Sequence, residues 1–324
     1  AIFEKAIVES HDYDADIRSM SVEGKKAITI YEALSQNDVR KAAEEFQSVY
    51  DRTDGKDGYV SLEVNPHLAH DSSGTVEEAR RLWKALDRPN VFIKVPATIE
   101  GLPTIAQLIS EGINVNVTLI FGLPRYRQVA EAYIAGIEKR AAQGNPVNNV
   151  ASVASFFVSR IDVLVDSILD KVVSQNGGKA ALARELRGQV AISSAKAAYQ
   201  IYKEIFDGSR FKRLSDNGAH RQRLLWASTG TKNSEYSDIK YVESLIGPDT
   251  VNTAPIETID AYRDHGHPSL RLEQDIEKAY RTLKRLTELG ISIDKATQQL
   301  EDEGVEKFNK PFDKLIESLA RKSA

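Results

Sequence analysis

Hydrophobic residues along the chain fall into short β-branched runs separated by longer segments with helical periodicity. Short apolar runs bounded by turn residues predict strands, and apolar positions spaced three and four apart predict amphipathic helices. Strands are predicted at residues 58–64, 91–95, 113–120, 150–157, 224–228 and 250–256. Helices are predicted at residues 76–86, 101–110, 124–142, 160 to about 206 with a break at 177–178, 237–245, and from 269 onward.

This alternation of strands and helices indicates an α/β fold. Each connection is long enough to cross over the sheet, so the strands should run parallel and be covered by helices. No glycine-rich phosphate-binding turn follows a strand, which favours an α/β barrel over a dinucleotide-binding sheet. No linker or low-complexity stretch divides the 324 residues, so residues 1–324 are predicted to form a single domain.

Composition narrows the classes of function. The chain has 41% hydrophobic and 28% charged residues, as soluble globular proteins do. Its 43 basic and 47 acidic residues are mixed along the sequence and give a net charge of -4, so no surface for nucleic acid is expected. Cysteine is absent, which excludes thiolate chemistry and fits a cytoplasmic protein, and no apolar run is long enough to span a membrane.

The histidines give little support for a metal site. No His-x-x-x-His or His-Glu-x-x-His spacing occurs in the sequence. His67 and His70 form a three-residue pair that could in principle bind a metal, but loop or surface histidines explain the pair more simply. No metal is therefore expected.

Lys94 stands out because it interrupts the apolar run at residues 90–97. In a strand covered on both faces an ammonium loses hydration, its pKa falls, and the neutral amine can add to a carbonyl. Lys94 is therefore a candidate for Schiff-base chemistry. The alternative is a strand-end lysine whose stem packs while its head reaches solvent.

Polar residues also occupy the neighbouring predicted strands at their carboxyl ends, where parallel barrels carry their chemistry. They are Glu63, Asn116, Thr118 and Ser155, and Phe157 closes the same strand as Ser155. Each has an ordinary explanation, such as an edge carboxylate, a turn former, a strand filler or a small residue at a tight contact. Together they suit a lysine imine, because Glu63 with Thr118 could manage a water and its protons while Asn116 and Ser155 hold substrate hydroxyls.

A phosphorylated substrate would also need a cation. Arg160 lies at the opening of the helix that follows Ser155, although a helix-surface arginine is an equal alternative. The loop at residues 228–233 adds hydroxyls, backbone amides and Lys232, which together could form a phosphate nest.

Four segments resemble the transaldolase family. They are Val60-Ser-Leu-Glu-Val-Asn65, Phe92-Ile-Lys-Val-Pro-Ala-Thr98, Gly112-Ile-Asn-Val-Asn-Val-Thr-Leu-Ile-Phe121 and Ala154-Ser-Phe-Phe-Val-Ser-Arg-Ile-Asp162. The resemblance implies a class I aldolase-type (β/α)8 TIM barrel, with strands three to eight within about 57–257 and added helices at about 269–324. It also implies a pentose phosphate pathway enzyme that transfers a dihydroxyacetone unit from sedoheptulose 7-phosphate or fructose 6-phosphate to an aldose phosphate, with no cofactor.

The resemblance further implies roles for the residues that carry the chemistry. Lys94 matches the Schiff-base lysine and Glu63 the acid/base carboxylate, while Thr118 matches the threonine that shares the catalytic water. Asn116 and Ser155 match positions that bind substrate hydroxyls.

The same resemblance implies that Arg160 and Ser228 bind phosphate. Many transaldolases have an arginine where this chain has Gly230, and Lys232 could substitute for it. Phe157 is also expected to be a substrate-binding residue, and it bears on substrate choice because fructose 6-phosphate aldolases typically have tyrosine there.

The start of the chain departs from the family. Residues 1–7 resemble the segment just after the second barrel strand, so the sequence is expected to begin two strands late. An asparagine and the aspartate that acts as base on the C4 hydroxyl would be missing with them, and neither Asp12 nor Asp14, in an apparent post-strand loop, replaces that aspartate. Six strands would leave two open sheet edges and could not close a barrel. The sequence is therefore expected to be part of a longer polypeptide.

Two rival functions remain open. A fructose 6-phosphate aldolase would share the lysine but release free dihydroxyacetone. A catalytically impaired protein that only binds sugar phosphates would fit a chain without the aspartate. The state of association, monomer or homodimer, and the preference between six- and seven-carbon donors stay open.

Overall fold

A computed structural model describes residues 10–175 and 177–322 of the chain. Its centre is a six-stranded sheet in which each strand runs parallel to its neighbours and strand order follows chain order. The strands are β1 (Val60–Glu63), β2 (Val91–Pro96), β3 (Val115–Ile120), β4 (Ser152–Phe157), β5 (Arg223–Ala227) and β6 (Thr250–Asn252). The six predicted strands and their parallel pairing are confirmed.

Helices connect the strands and cover the sheet. Their bounds are α1 (Asp14–Val22), α2 (Ala27–Arg52), α3 (Ser72–Leu86), α4 (Gly101–Glu111), α5 (Leu123–Ala142), α6 (Ser159–Ser174), α7 (Ala180–Leu186), α8 (Val190–Phe206), α9 (Ser209–Ser215), α10 (Lys240–Glu243), α11 (Ile256–His265), α12 (Ile276–Arg285) and α13 (Ile293–Lys322). Short 3-10 helices span Pro66–Leu68 and Leu286–Leu289. Among the residues described, no helix is both long and apolar enough to cross a membrane.

The alternation of side chains along β2 explains why a lysine can sit inside an apolar strand. Val91, Ile93 and Val95 are fully buried, whereas Lys94 keeps 23% of its side chain exposed. Successive residues of a strand point to opposite faces of the sheet. The valine and isoleucine face therefore joins the hydrophobic core, and Lys94 projects from the other face near the carboxyl end of the strand.

The α/β class with a parallel sheet is confirmed, but an eight-stranded closed barrel is not observed in the described residues. There, β1 and β6 are the two edges of the sheet. Residues 1–7, which resemble a family segment after the second strand, lie outside the described part of the chain.

Some predicted boundaries were wrong. The last strand ends at Asn252 rather than 256, because Pro255 cannot donate a ladder hydrogen bond and instead precedes α11. The short helix predicted at 237–245 is shorter in the structure, where α10 spans only Lys240–Glu243. Asp12 and Asp14 were both predicted to lie in a loop, but Asp14 is the first residue of α1 and only Asp12 precedes the helix.

The helices α1 and α2 are absent from the prediction, although α2 carries a detectable signal. Ile30 and Leu34, and then Val39 and Ala43, are buried pairs spaced four residues apart, as on one face of a helix. Val39 and Ala43 join the main core and α2 packs against β1. Ile30 and Leu34 form a second cluster with Leu315 and Leu319 of α13.

The last helix, α13, packs against β3 and against the 3-10 helix that follows β1. Gly304 allows this close approach, because a Cβ there would lie only 3.2 Å from a methyl group of Leu119. A bidentate ion pair from Arg125 of α5 to Glu301 fixes the helix, with N–O distances of 2.9 and 3.0 Å. Both side chains are more than nine-tenths buried. This arrangement places Phe308 beside Lys94, with the ring centroid 5.6 Å from Nζ.

Glu301→Gln should lower the free energy of unfolding by about 3 kcal/mol, because it leaves the Arg125 guanidinium buried without its carboxylate. Urea unfolding followed by circular dichroism measures the loss. Glu303→Gln is the matched control on the same helix, since its 2.8 Å pair with Lys307 is solvent-exposed and worth about 0.3–0.5 kcal/mol. Equal losses for the two variants would contradict the anchoring role of Arg125.

Candidate functional site

Lys94 and Glu63 are side by side because their strands are in register. Glu63 of β1 pairs with Lys94 of β2 in the parallel ladder, and Nζ lies 3.4 Å from Oε2. The two side chains keep 23% and 26% of their surface exposed. The amine is thus neither sealed in the core nor extended into solvent. It is held at the sheet face next to a group that can take its proton.

Two aromatic side chains that the sequence did not reveal enclose this pair. The ring of Phe308 lies against Lys94, as described above. Tyr31 of α2 lies near Glu63: burial, and then the charge of Glu63, raise the pKa of Tyr31 to about 12. Tyr31 therefore stays protonated at neutral pH. Both residues come from helices far from Lys94 in sequence, so no local motif could have placed them.

Asn116 is held in a fixed orientation by two serines. Its Nδ2 donates to Ser61 Oγ at 3.0 Å, and its Oδ1 accepts from Ser155 Oγ at 2.7 Å. Asn116 is also the register partner of Lys94 in the ladder between β2 and β3. The structure therefore brings Asn116 and Ser155 to the lysine, as expected. Ser61 was missed, although it lies two residues before Glu63 and so shares its face.

Thr118 lies two residues beyond Asn116 on the same strand and is fully buried. Its hydroxyl has no hydrogen-bond partner among the described residues. A buried hydroxyl without a partner is costly, so such groups in native proteins call for an explanation. A water or substrate oxygen bound between the strands would satisfy it.

Arg160 is the second residue of α6 and lies over the ring of Phe157, with Cζ 5.5 Å from the ring centroid. Phe157 is itself buried against Phe121. One guanidinium nitrogen, Nη1, is buried and has no hydrogen-bond partner in the described part of the chain. Burial lowers the pKa of Arg160, but an arginine remains charged in a protein. A partly desolvated cation with an unsatisfied donor is suited to bind an anion.

Ser228, just after β5, is tied to the residue before Arg160. Its hydroxyl lies 3.0 Å from the hydroxyl of Ser159, and its carbonyl accepts the Ser159 N–H at 3.0 Å. Ser228 has φ of 55°, which turns the chain sharply out of the strand. The structure therefore brings Ser228 into contact with the residue that precedes Arg160.

Lys232 is not brought into this group by any contact within the described residues. Its side chain is exposed on the loop. The turn at Gly230 is buried, and a Cβ there would lie 3.0 Å from Pro255. The substitution of Lys232 for the family's arginine thus stays a prediction.

The histidine pair does not converge. His67 Nε2 lies 2.6 Å from Asp313 and His70 Nδ1 lies 3.0 Å from Glu100, so each ring has a separate carboxylate partner. No group of three or more potential metal-binding side chains occurs in residues 10–175 and 177–322.

Asp14 does not serve Lys94 either. Asp14 pairs with Lys322 of α13 at 2.9 Å. Lys322 lies 14 residues, or roughly 21 Å of helix, beyond Phe308, which is the residue of α13 beside Lys94.

Comparison with known proteins agrees with this geometry. Residues 1–319 match the transaldolase/fructose-6-phosphate aldolase family. A transaldolase from Trichodesmium erythraeum is 50% identical over 99% of this chain and 86% of its own length. Transaldolases from Thermobifida fusca and Saccharopolyspora erythraea are 44% and 45% identical, over 100% and 98% of this chain and 86% and 84% of their own lengths. The expected lack of a preceding segment is not confirmed by these matches.

Thr118→Val should leave the free energy of unfolding unchanged or raise it by up to about 1 kcal/mol, because it removes a buried hydroxyl that no described residue satisfies. Thr75→Val is the control. The equally buried Thr75 hydroxyl donates to the Leu68 carbonyl at 2.8 Å, so its loss should lower stability by about 1 kcal/mol. Urea unfolding measures both, and a Thr118→Val loss as large as the control's would show that the hydroxyl has a hydrogen-bond partner in the folded protein.

Proposed function

The chain belongs to the transaldolase/fructose-6-phosphate aldolase family, and from this premise we infer that it is a transaldolase acting through a Schiff base on Lys94. It transfers a dihydroxyacetone unit from sedoheptulose 7-phosphate or fructose 6-phosphate to an aldose phosphate. The observation that carries the assignment of the lysine is the 3.4 Å approach of Lys94 Nζ to Glu63, beside the hydrogen-bonded series of Ser61, Asn116 and Ser155.

Imine formation uses the lysine, the carboxylate and a water. Glu63 accepts a proton from the Lys94 ammonium, and the neutral amine attacks the C2 carbonyl of the ketose. The carbinolamine then loses its hydroxyl as water when the Glu63 carboxyl returns the proton. The unsatisfied Thr118 hydroxyl supports a role in holding that water.

Carbon–carbon cleavage uses the protonated imine as the electron sink. When a base takes the proton from the C4 hydroxyl, the C3–C4 bond breaks, its electron pair moves into an enamine on Lys94, and an aldose phosphate leaves. The enamine carbon then attacks the aldehyde of a second aldose phosphate, and hydrolysis of the new imine releases the product ketose. No residue among those described is assigned as the C4 base.

The remaining predicted residues bind the substrate. Asn116 and Ser155 hold hydroxyls of the three-carbon unit, and Arg160 with Ser228 binds the phosphate, which the buried donor on Arg160 supports. Lys232 adds a second positive charge from the loop. The closed (β/α)8 barrel, the cytoplasmic location, and a monomeric or homodimeric state are also part of this proposal. No metal or organic cofactor enters the steps above.

Two rival functions are less well supported. A fructose 6-phosphate aldolase belongs to the same family, but the relatives named above are transaldolases, and Phe157 stands where those aldolases typically have tyrosine. A protein that only binds sugar phosphates would trap no substrate on Lys94.

Borohydride reduction in the presence of fructose 6-phosphate should label Lys94 covalently, because the reduced imine cannot hydrolyse. Peptide mass mapping locates the label, and Lys94→Met should abolish it. Lys203→Met, which alters a surface lysine paired with Glu273, is the control that should keep it. A label on another lysine would contradict the assignment of Lys94 as the Schiff-base lysine. Release of free dihydroxyacetone instead of transfer to erythrose 4-phosphate would favour the aldolase.

Thr118→Val should lower kcat by about 10- to 100-fold, a part of the roughly 10²- to 10⁴-fold that general acid–base catalysis contributes, because the catalytic water is no longer held in place. Steady-state transfer assays measure the change, with Thr75→Val as the folded control that keeps wild-type kcat. An unchanged kcat in Thr118→Val would remove the hydroxyl from the mechanism.

A further inference from the structure

A buried carboxylate that the reaction does not use lies close to the phosphate-binding residues. Asp162 of α6 is 1% exposed and accepts three hydrogen bonds. Its Oδ1 accepts the Ala191 N–H at 2.8 Å, and its Oδ2 accepts from Lys240 Nζ at 3.0 Å and from the Tyr241 hydroxyl at 2.8 Å. A buried charge persists only when it is paired and hydrogen-bonded, and Asp162 satisfies both conditions.

The partner amine is also enclosed. Lys240 keeps 14% of its side chain exposed, and its Nζ lies 3.6 Å from the centroid of the Tyr236 ring and 4.9 Å from that of Tyr241. Two aromatic faces and one carboxylate therefore hold this ammonium in a single position. An exposed ion pair contributes little to stability, whereas this pair is enclosed by protein.

A second carboxylate fastens the same segment one turn further along α6. Asp166 accepts the Tyr236 hydroxyl at 2.7 Å and the Gly188 N–H at 2.8 Å. Burial raises the pKa of Asp166. Residues 236–241 are thus attached to α6 at two points, through Asp162 and Asp166.

These contacts close the loop that starts at the candidate phosphate site. The loop leaves β5 at Ser228, which is bonded to Ser159 at the start of α6. It returns at Lys240, which is bonded to Asp162. Both ends are therefore held by the first turn of the helix that carries Arg160.

Asp162 cannot itself contact a ligand bound by Arg160. Two residues apart on a helix correspond to roughly 200° of rotation, so the two side chains leave α6 on opposite sides. The contacts agree, because Arg160 lies over Phe157 while Asp162 faces α8 and α10. An effect of Asp162 on binding must be transmitted through the position of the helix and the loop.

We propose that the Asp162–Lys240 pair is a positioning device that sets the distance between Arg160 and Ser228 and so determines affinity for the phosphate of the substrate. The proposal rests on the function proposed above, in which Arg160 and Ser228 bind that phosphate. The pair acts on binding of the phosphate and leaves the chemistry at Lys94 unchanged.

The test compares phosphorylated and unphosphorylated acceptors in Asp162→Asn and Lys240→Met. We expect KM for erythrose 4-phosphate to rise about tenfold, the equivalent of about 1.4 kcal/mol of binding, with kcat changed less than about threefold. With erythrose as the acceptor, kcat/KM should stay within about twofold of wild type. If one of the two variants fails to fold, the other still tests the proposal.

The double variant Asp162→Asn/Lys240→Met supplies a second criterion. Each single change leaves one charge buried without its partner, so the double variant should lose less affinity than the product of the two single effects. Glu235→Gln is the matched control. Glu235 lies in the same loop and pairs at 2.6 Å with Arg187, which lies between α7 and α8. Because Glu235 is exposed, breaking this pair should not change phosphate affinity.

Binding of inorganic phosphate, measured by calorimetry, gives a readout that does not depend on catalysis. Its Kd should weaken about tenfold in Asp162→Asn and stay unchanged in Glu235→Gln. Equal losses with both acceptors, or an unchanged Kd for phosphate, would overturn the proposal and reduce the pair to a structural role. Failure of this proposal would appear only in the variants. Failure of the proposed function would instead appear in the wild-type protein, which would show no transfer and no label on Lys94.

Discussion

The parallel register of β1 and β2 is the constraint on which the site depends. Parallel pairing aligns Glu63 with Lys94, and the alternation of side chains sends both to the same face of the sheet. The amine and its proton acceptor thereby meet without any loop having to position them. A slip of one residue in either strand would turn one of the pair into the hydrophobic core, so the packing of Val91, Ile93 and Val95 also protects the chemistry.

The rest of the molecule surrounds that pair with elements distant in sequence. The buried ion pair from Arg125 to Glu301 anchors α13 and brings Phe308 to the lysine, while α2 brings Tyr31 to the carboxylate. At the other end of the site, the enclosed pair of Asp162 and Lys240 holds the loop that carries Ser228. Buried charge thus stabilises the position of helices and loops around the strand residues of the candidate site.

Much of this site was accessible from sequence because it lies on strands. Polar residues on successive predicted strands singled out Glu63, Lys94, Asn116 and Ser155, and the structure joins them by direct contacts or by register. The same reasoning could not supply Tyr31 or Phe308, because α2 and α13 reach the site only through tertiary packing. Lys232 shows a different limit. Its place in a polar loop favoured a role in binding phosphate, but the structure leaves its side chain exposed and gives it no contact with Arg160 or Ser228.

The central claim is that Lys94 carries the substrate carbon while Glu63 and Thr118 manage the water. A crystal structure of the borohydride-trapped dihydroxyacetone adduct tests it most directly. The account predicts a bond from Lys94 Nζ to C2, with a water held between Glu63 and the Thr118 hydroxyl and the sugar hydroxyls on Asn116 and Ser155. An adduct on another residue, or one whose C2 lies away from Glu63, would contradict it.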